Sequence, residues 1–222
     1  MSETSLHNSL INWYARPGDE IEVSLDGFVI DILHGDLLIE IQTRSFNKIR
    51  PKLERLLENH PIHLVHPIAS EKWIIRTDNH DPQKLVRRKS PKRGRLEDIF
   101  RELIYIPSLI LNANFTLEVL MIGEEQRWVN NQSGSWRRRG WSIADRKLLG
   151  IQNQYIFQNR CDFIRLLPND LPEPFSSKQL SELAKIPRNT AQKMIYCLRK
   201  MGGLIVMEIP GKEKWYTINH AR

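Results

Sequence analysis

Three carboxylates and one amide near the start of the chain have the spacing expected of a functional site on neighbouring strands. Glu22, Asp31 and Glu40 each occupy a polar position in a separate segment of alternating apolar residues, and Gln42 lies two residues beyond Glu40. Alternation with a period of two predicts β-strands, so Gln42 shares a face with Glu40. The three segments are 21–25, 28–32 and 38–42.

The turns between these segments determine how the strands pair. Asp26-Gly27 and Gly35-Asp36 are typical of two-residue hairpin turns. Closing both hairpins on these turns places Asp31 opposite Glu22 on one side and opposite Glu40 on the other. A slip of one residue would move every side chain to the other face, so the apolar pattern supports this register. The same register pairs Val23 with Ile30, Ile21 with Ile32, Ile32 with Ile39 and Ile30 with Ile41.

A row of carboxylates across three strands predicts a cation site. Like charges placed directly opposite each other destabilise a sheet. Val29, Leu33 and Leu38 lie on the same face, so the row is expected to be partly buried, where carboxylates either take up protons or bind a cation. Oxygen donors of this type suit Mg²⁺ or Mn²⁺. The alternative is the solvated polar face of an ordinary meander.

Helical and apolar patterns extend these strands into a mixed unit. A helix is predicted over 5–15, and a second helix is expected to begin near Arg50, because Pro51 favours the first turn. Apolar strands follow at 62–66 and 73–76. A helix between strands of one sheet implies a crossover and a parallel pair. The predicted order is α-β-β-β-α-β.

This order and these residues resemble the PD-(D/E)XK, or restriction-endonuclease-like, nuclease superfamily. Ile30-Asp31 matches the acidic residue of its second strand, and Glu40-Ile41-Gln42 matches the acidic-x-Lys motif of its third. Gln42 stands at the Lys position, as in the Glu-x-Gln variant of some restriction enzymes of that superfamily. The resemblance covers residues 5–77.

The resemblance implies a metal-dependent nuclease site. By position, Asp31 and Glu40 would ligate Mg²⁺ with the backbone carbonyl of Ile41, and Gln42 would orient the attacking water through its amide. The missing Lys would be replaced by the metal itself or by a basic residue of the following helix, Lys48 or Lys52. From the strand register, Glu22 is a further candidate metal ligand. The absent Lys also leaves room for an inactive descendant of the superfamily.

The charge distribution predicts a nucleic-acid partner. Residues 1–80 contain 8 Lys/Arg and 12 Asp/Glu, residues 81–175 contain 16 and 11, and residues 176–222 contain 9 and 3, within a net charge of +7. Basic regions attract nucleic acid, although a basic surface also serves solubility alone. The segment 81–95 is predicted to be a basic linker or a strap that grips phosphates.

A loop in the middle region offers cations beside aromatic rings. Arg137, Arg138 and Arg139 lie between Trp136 and Trp141. The loop is a candidate for phosphate contact or for stacking on unpaired bases. The alternative is that the two tryptophans only anchor the loop to the core.

The C-terminal region is similar to the winged helix-turn-helix family over residues 175–218. A capping-box start at Ser176, a turn at Ile186-Pro187, a helix from Arg188 and a hairpin after Gly202-Gly203 carry this similarity. Such a fold would place the second helix in the DNA major groove. The candidate DNA-binding residues are Arg188, Asn189, Thr190, Gln192, Lys193 and, at the wing tip, Lys212.

Together these features predict a Mg²⁺-dependent DNA endonuclease carried to DNA by its own winged helix. The expected fold is an α/β restriction-endonuclease-like core over 1–80, the linker over 81–95, an α+β region over 96–172 and the winged helix over 173–222. The rivals are a non-catalytic DNA-binding regulator, whose nuclease fold serves as a scaffold or homodimerisation module, and a winged helix that docks on a protein. Two distant cysteines and the lack of a long apolar run predict a cytoplasmic protein without a membrane partner.

Overall fold

A large mixed sheet with helices on both faces forms most of the chain. The computed structural model describes residues 5–77, 85–130, 140–210 and 213–220. The strands are β1 (Glu20–Leu25), β2 (Phe28–His34), β3 (Leu37–Ile41), β4 (Ile62–Thr77), β5 (Leu85–Lys89), β6 (Phe115–Asn130), β7 (Trp141–Phe157), β8 (Phe175–Ser176), β9 (Leu204–Met207) and β10 (Trp215–Ile218). The helices are α1 (Ser5–Tyr14), α2 (Phe46–Leu56), α3 (Phe100–Leu103), α4 (Arg160–Ile164), α5 (Ser177–Leu183) and α6 (Arg188–Lys200), with 3₁₀ turns at Leu96–Ile99 and Leu109–Leu111.

The first part of the chain has the predicted order of elements, from α1 to β4. The strands β1 to β4 are neighbours in sequence order, with two antiparallel pairs and then a parallel pair between β3 and β4. Both hairpins close on the predicted turns, with Leu25 opposite Phe28 and His34 opposite Leu37. The turn residues therefore determined the register, as expected for two-residue loops.

The sheet continues well beyond residue 80, where a domain boundary was predicted. β6 pairs in parallel with β4, and β7 pairs antiparallel with β6, so both belong to one seven-stranded sheet. Residues 85–89 of the predicted linker form β5 on β4. The two strands predicted at 62–66 and 73–76 are one strand, β4, with an irregularity between Ala69 and Glu71. Local periodicity could not show this because pairing with β6 bridges the polar interruption.

Gly94 packs directly against the irregular part of β4. Its backbone N–H donates to the carbonyl of Ala69 at 2.7 Å. A Cβ at this position would lie 2.6 Å from Ile68 Cγ2 and 2.7 Å from the Ala69 oxygen. Only glycine allows this close approach of two backbone segments.

Helix α2 begins earlier than predicted. Its first residue is Phe46, and the side chain of Ser45 caps it by accepting from Asn47 N. Pro51 therefore lies inside the helix, and the expectation of a start near Arg50 was wrong. Glu102, from a distant segment, accepts from the backbone N–H of Phe46 at 3.0 Å. This satisfies one of the N–H groups at the start of the helix that have no partner within the helix.

Two apolar clusters cover the two faces of the sheet. Leu6, Leu10 and Ile11 of α1 pack with Ile39 and other strand residues on one face. On the other face, Leu53 of α2 and its neighbours belong to a larger cluster that continues into α5 and α6. The C-terminal region is thus packed on the rest of the chain.

The C-terminal region contains the predicted sequence of two helices and a hairpin. β8, β10 and β9 form a small antiparallel sheet beside α5 and α6. The predicted capping box is present, since Ser176 Oγ accepts from Gln179 N at 3.4 Å and Gln179 Oε1 accepts from Ser176 N at 2.9 Å. Arg95 fastens the turn between the helices by donating to the carbonyls of Ala184 and Lys185.

Among the described residues, no helix is long and apolar enough to cross a membrane.

Candidate functional site

The candidate site lies where β2 and β3 stop pairing. In segment 28–41 the ladder runs from His34–Leu37 to Ile32–Ile39 and ends there, so the predicted Ile30–Ile41 pair is not part of it. Beyond that point side chains join the two strands. Asp31 Oδ2 accepts from the backbone N–H of Ile41 at 2.7 Å, and Glu40 accepts from the backbone of Asp31. The two carboxylates therefore replace ladder hydrogen bonds and lie beside each other.

Lys52 reaches Glu40 from helix α2. Its ammonium forms an ion pair with Glu40 Oε1 and also donates to the carbonyl of Val29. The Glu40 side chain is 3% exposed and that of Lys52 is 14% exposed, so this pair is largely shielded from water. Of the two helix lysines proposed to replace the missing Lys, Lys52 is brought to the carboxylates, whereas Lys48 is exposed on α2.

Burial is the main reason that the Glu40 carboxyl holds its proton unusually strongly. Desolvation and the nearby Asp31 charge raise the pKa of Glu40 to about 7, and the Lys52 ammonium opposes this rise only in part. Glu40 therefore titrates near neutral pH, where a carboxyl normally stays ionised. Perturbed groups of this kind are concentrated at functional sites, although structural ion pairs also produce them.

Asp31 has a second partner in α1. His7 Nε2 lies 3.2 Å from Asp31 Oδ2, and both side chains are mostly buried. The histidine reaches Asp31 because α1 packs across the strands. Sequence inspection missed His7, since nothing in the motif links a helix residue to a carboxylate 24 positions away.

Gln42 is held by the loop that starts α2. Its side-chain amide donates to the carbonyl of Ser45 at 3.2 Å, and its backbone N–H donates to Val65 O at 2.9 Å. His66 Nδ1 donates to the Gln42 carbonyl at 2.6 Å. Burial lowers the pKa of His66 to about 4, so the ring is neutral at physiological pH. The Gln42 amide thus supports the loop, and its predicted contact with a water molecule stays a prediction.

Glu22 differs from the other two carboxylates in its backbone conformation and its exposure. Its φ of 54° is in the left-handed region, and its side chain is exposed. The ladder pairs Ile21 with Ile32 and Val23 with Ile30 on either side of it. Within the described ranges, no group of three or more His, Cys, Asp or Glu side chains is arranged to hold a metal ion. The predicted row of three carboxylates is therefore reduced to the pair of Asp31 and Glu40.

A buried ion pair between β6 and β7 supports the loop after β3. Glu124 on β6 is 0% exposed and accepts from Arg146 Nη2 of β7 at 2.6 Å. Arg146 Nη1 also donates to the carbonyl of Thr43 at 3.0 Å. Burial raises the pKa of Glu124, but hydrogen bonding and attraction from Arg146 outweigh this and lower the pKa overall. The pair ties the centre of the sheet to the loop that carries Gln42.

Comparison with known proteins assigns the chain to a family. A family model for DUF8091, a domain of unknown function, matches residues 4–158. The chain belongs to the DUF8091 family. An uncharacterized protein of Treponema pallidum (strain Nichols) is 33% identical over 181 residues, which cover 81% of this chain and 72% of that protein. No solved structure matches the chain.

The DUF8091 match spans the large sheet and the candidate site. It includes Asp31, Glu40, Lys52 and the Glu124–Arg146 pair, and it ends directly after β7. The helices α5 and α6 lie outside the matched range. The family match therefore covers the large sheet without α5 and α6, although residues of all of them belong to one apolar cluster in this chain.

The predicted DNA-binding residues of α6 divide by exposure. Arg188, Asn189 and Gln192 are exposed, and Lys193 is half-buried. Thr190 is 1% exposed and lies near Arg101 Nη2, 3.4 Å from its hydroxyl, so it faces the protein and cannot contact a groove. Packing of α6 against α3 causes this difference. The remaining candidates Arg137, Arg138, Arg139 and Lys212 lie outside the described residues.

Proposed function

We propose that this chain is a Mg²⁺-dependent DNA endonuclease of the PD-(D/E)XK type, with Asp31, Glu40 and Lys52 as its active-site residues. The observation that carries the proposal is the position of Lys52. The third strand lacks the lysine of the motif, and α2 supplies an ammonium to the motif glutamate instead. The order of elements from α1 to β4 supports the same assignment.

The residues at the end of β2 and β3 suit a hard divalent ion. Asp31 and Glu40 are adjacent carboxylates, and Mg²⁺ typically uses one or two carboxylates and completes its shell with water. These two side chains, with the carbonyl of Ile41, would hold the ion. When bound, Mg²⁺ or Mn²⁺ supplies Lewis-acid stabilisation of charge on the scissile phosphate.

The chain's own residues have distinct tasks in this proposal. Lys52 places a positive charge beside Glu40 in a site shielded from water, where one charge acts more strongly than in solvent. His7 and the N–H of Ile41 hold the Asp31 carboxylate in one orientation. Gln42 fixes the loop after β3, and so keeps the start of α2 in position for Lys52.

The C-terminal unit would bring the site to DNA. Its two helices and hairpin have the winged-helix order, and α6 exposes Arg188, Asn189, Gln192 and Arg199. Cationic and amide side chains on the exposed face of such a helix contact phosphates and base edges. Because contacts between cations and phosphates release counterions, the affinity for DNA would fall steeply as the salt concentration rises.

Glu40→Gln tests the enzyme directly. The variant is expected to lose cleavage of supercoiled plasmid in Mg²⁺ or Mn²⁺ by at least about 100-fold, because it removes a carboxylate ligand without changing volume. EDTA is expected to stop the wild type. Glu54→Gln on the exposed face of α2 is the matched control and should cleave normally. If Glu40→Gln nicks plasmid as fast as the wild type, the proposal is wrong.

Metal binding is expected to strengthen as pH rises through neutrality. The pKa of Glu40 is raised to about 7, so its carboxyl is protonated below that pH and competes with the metal. Titration with Mn²⁺ followed by EPR should give a dissociation constant about tenfold lower at pH 8 than at pH 6. Equal affinity at the two pH values would show that Glu40 does not hold the ion.

A non-catalytic DNA-binding regulator is the second candidate. The Lys52 ammonium already balances the charge of Glu40. It contacts two oxygens, Glu40 Oε1 and the Val29 carbonyl, as a bound cation would. A site neutralised in this way is stable without metal. For this candidate, the wild type would bind DNA with a steep salt dependence and show no cleavage with either metal.

A further inference from the structure

A cleft beside the candidate site opens where the loop after β3 meets β4. Its volume is about 650 Å³, which is the size of sites that hold one small ligand. The cleft is lined by residues of three segments, 43–45, 66–69 and 92–94, together with side chains of neighbouring strands and helices. The same loop follows Glu40 and Gln42, so the cleft and the carboxylate pair share the end of β3.

The lining of the cleft has an excess of positive charge. It contains six cations and three carboxylates, a formal excess of three positive charges. The cations are Arg44, Lys72, Lys92, Arg93, Arg101 and Arg146, and the carboxylates are Asp98, Glu102 and Glu124.

The three carboxylates are already occupied by groups of the chain. Glu124 accepts from Arg146, and Asp98 Oδ1 lies 3.0 Å from Arg101 Nη2. Glu102 accepts from the N–H of Phe46 at the start of α2. The charges of Glu124 and Asp98 are therefore compensated by Arg146 and Arg101, and the exposed cations Lys92 and Arg93 can attract an anion from solution.

The two walls differ in character. The lining residues of β4, Pro67, Ile68 and Ala69, are apolar, and the first two are buried. Lys92 and Arg93 lie exposed on the segment before Gly94. His66 at the base is neutral and contributes no charge at physiological pH. Gly94 brings this segment against β4, and so sets the width of the cleft. A ligand that fits must present an anion to one wall and a flat or apolar group to the other.

We propose that this cleft binds a single nucleotide, with its phosphate at Lys92 and Arg93 and its sugar and base against Pro67–Ala69. The nucleotide is either free or the terminal nucleotide of a single strand, because one cleft of this volume does not admit a duplex. The inference rests on the proposed function only in taking nucleic acid as the source of the ligand. It assigns to the large sheet a nucleotide site that is separate from α6.

The double variant Lys92→Glu/Arg93→Glu tests the cleft in EDTA, so that cleavage plays no part. One arm titrates a deoxynucleoside monophosphate by calorimetry, and the other titrates a fluorescent single-stranded oligonucleotide with a terminal phosphate by anisotropy. The wild type is expected to bind in at least one arm, and the double variant to bind at least tenfold more weakly there. Arg50→Glu/Arg165→Glu is the matched control, since it reverses two exposed cations that do not line the cleft.

The two arms distinguish the sources of the nucleotide. Binding of the monophosphate indicates a free nucleotide, and binding of the oligonucleotide alone indicates a strand end. The proposal is overturned if neither ligand binds the wild type, or if the cleft variant and the control bind equally well. Loss of plasmid cleavage in Glu40→Gln does not enter this result, so the cleft and the nuclease site can fail separately.

Discussion

Lys52→Met is expected to reduce Mg²⁺-dependent DNA cleavage by about 10²–10³-fold, the usual effect of removing a charge that acts on the reacting groups. Methionine keeps most of the volume of the side chain but removes the ammonium that contacts Glu40 and the Val29 carbonyl. The measurement is the initial rate of plasmid nicking at saturating Mg²⁺. Lys48→Met, on the exposed face of the same helix, is the control and should retain the wild-type rate.

A purely structural role for Lys52 gives a different pattern. The Glu40 side chain is 3% exposed and its pKa is already about 7, so without the ammonium its carboxyl takes up a proton and stays buried without its partner. Lys52→Met therefore also lowers the free energy of unfolding by about 1–3 kcal/mol, the cost of an unsatisfied buried polar group. Adding Glu40→Gln removes that carboxyl and should restore part of the stability. If the double variant regains cleavage together with stability, neither side chain acts on the substrate. If stability returns and cleavage does not, both belong to the site.

Arg146→Met is expected to lower the free energy of unfolding by about 3–5 kcal/mol at pH 7. Glu124 is 0% exposed and forms an ion pair with Arg146. The substitution removes the cation that contacts this buried carboxylate, and it also removes the bond to the Thr43 carbonyl. Urea denaturation measures the effect, and Arg127→Met, exposed on the neighbouring strand, is expected to change stability by at most about 0.5 kcal/mol.

The pH dependence of this effect has a definite sign. The pKa of Glu124 is lowered in the folded wild type, so its ionised form stabilises the fold above the unfolded pKa and this contribution is lost as pH falls. The difference between the wild type and Arg146→Met should therefore persist from pH 7 down to about pH 4, the unfolded value of a glutamate, and shrink as pH falls below it. A second substitution, Glu124→Gln, should recover much of the loss at pH 7. A constant difference at all pH values would show that the loss comes from packing and not from the ion pair.

The register of the first two hairpins could be predicted because it depends on neighbouring residues. Asp26-Gly27 and Gly35-Asp36 set the turns, and the alternation of apolar residues sets the faces. The same local signals predicted α5, α6 and the hairpin that follows them. These features involve backbone preferences and periods that act over a few residues, so no distant contact is needed to recognise them.

The extent of the sheet could not be predicted in the same way. β6 joins β4 although residues 78–114 separate the two strands, and β7 joins β6. Nothing local distinguishes a strand of the same sheet from a strand of another domain. The irregularity near Ala69 made β4 look like two strands. The predicted boundary near residue 80 followed from interpreting the basic segment 81–95 as a linker.

The sequence alone determined that Asp31 and Glu40 would be adjacent, because two tight turns and a period of two leave them one relative position. Only the tertiary structure decided what surrounds them. Packing of α1 brings His7 to Asp31, and the crossover brings Lys52 to Glu40. Glu22 has a left-handed backbone and an exposed side chain. Such contacts depend on the angles at which helices cross the sheet, which are set by the apolar residues between them and have no signature near the site. The pair of carboxylates was therefore predictable, and the cation beside it required the fold.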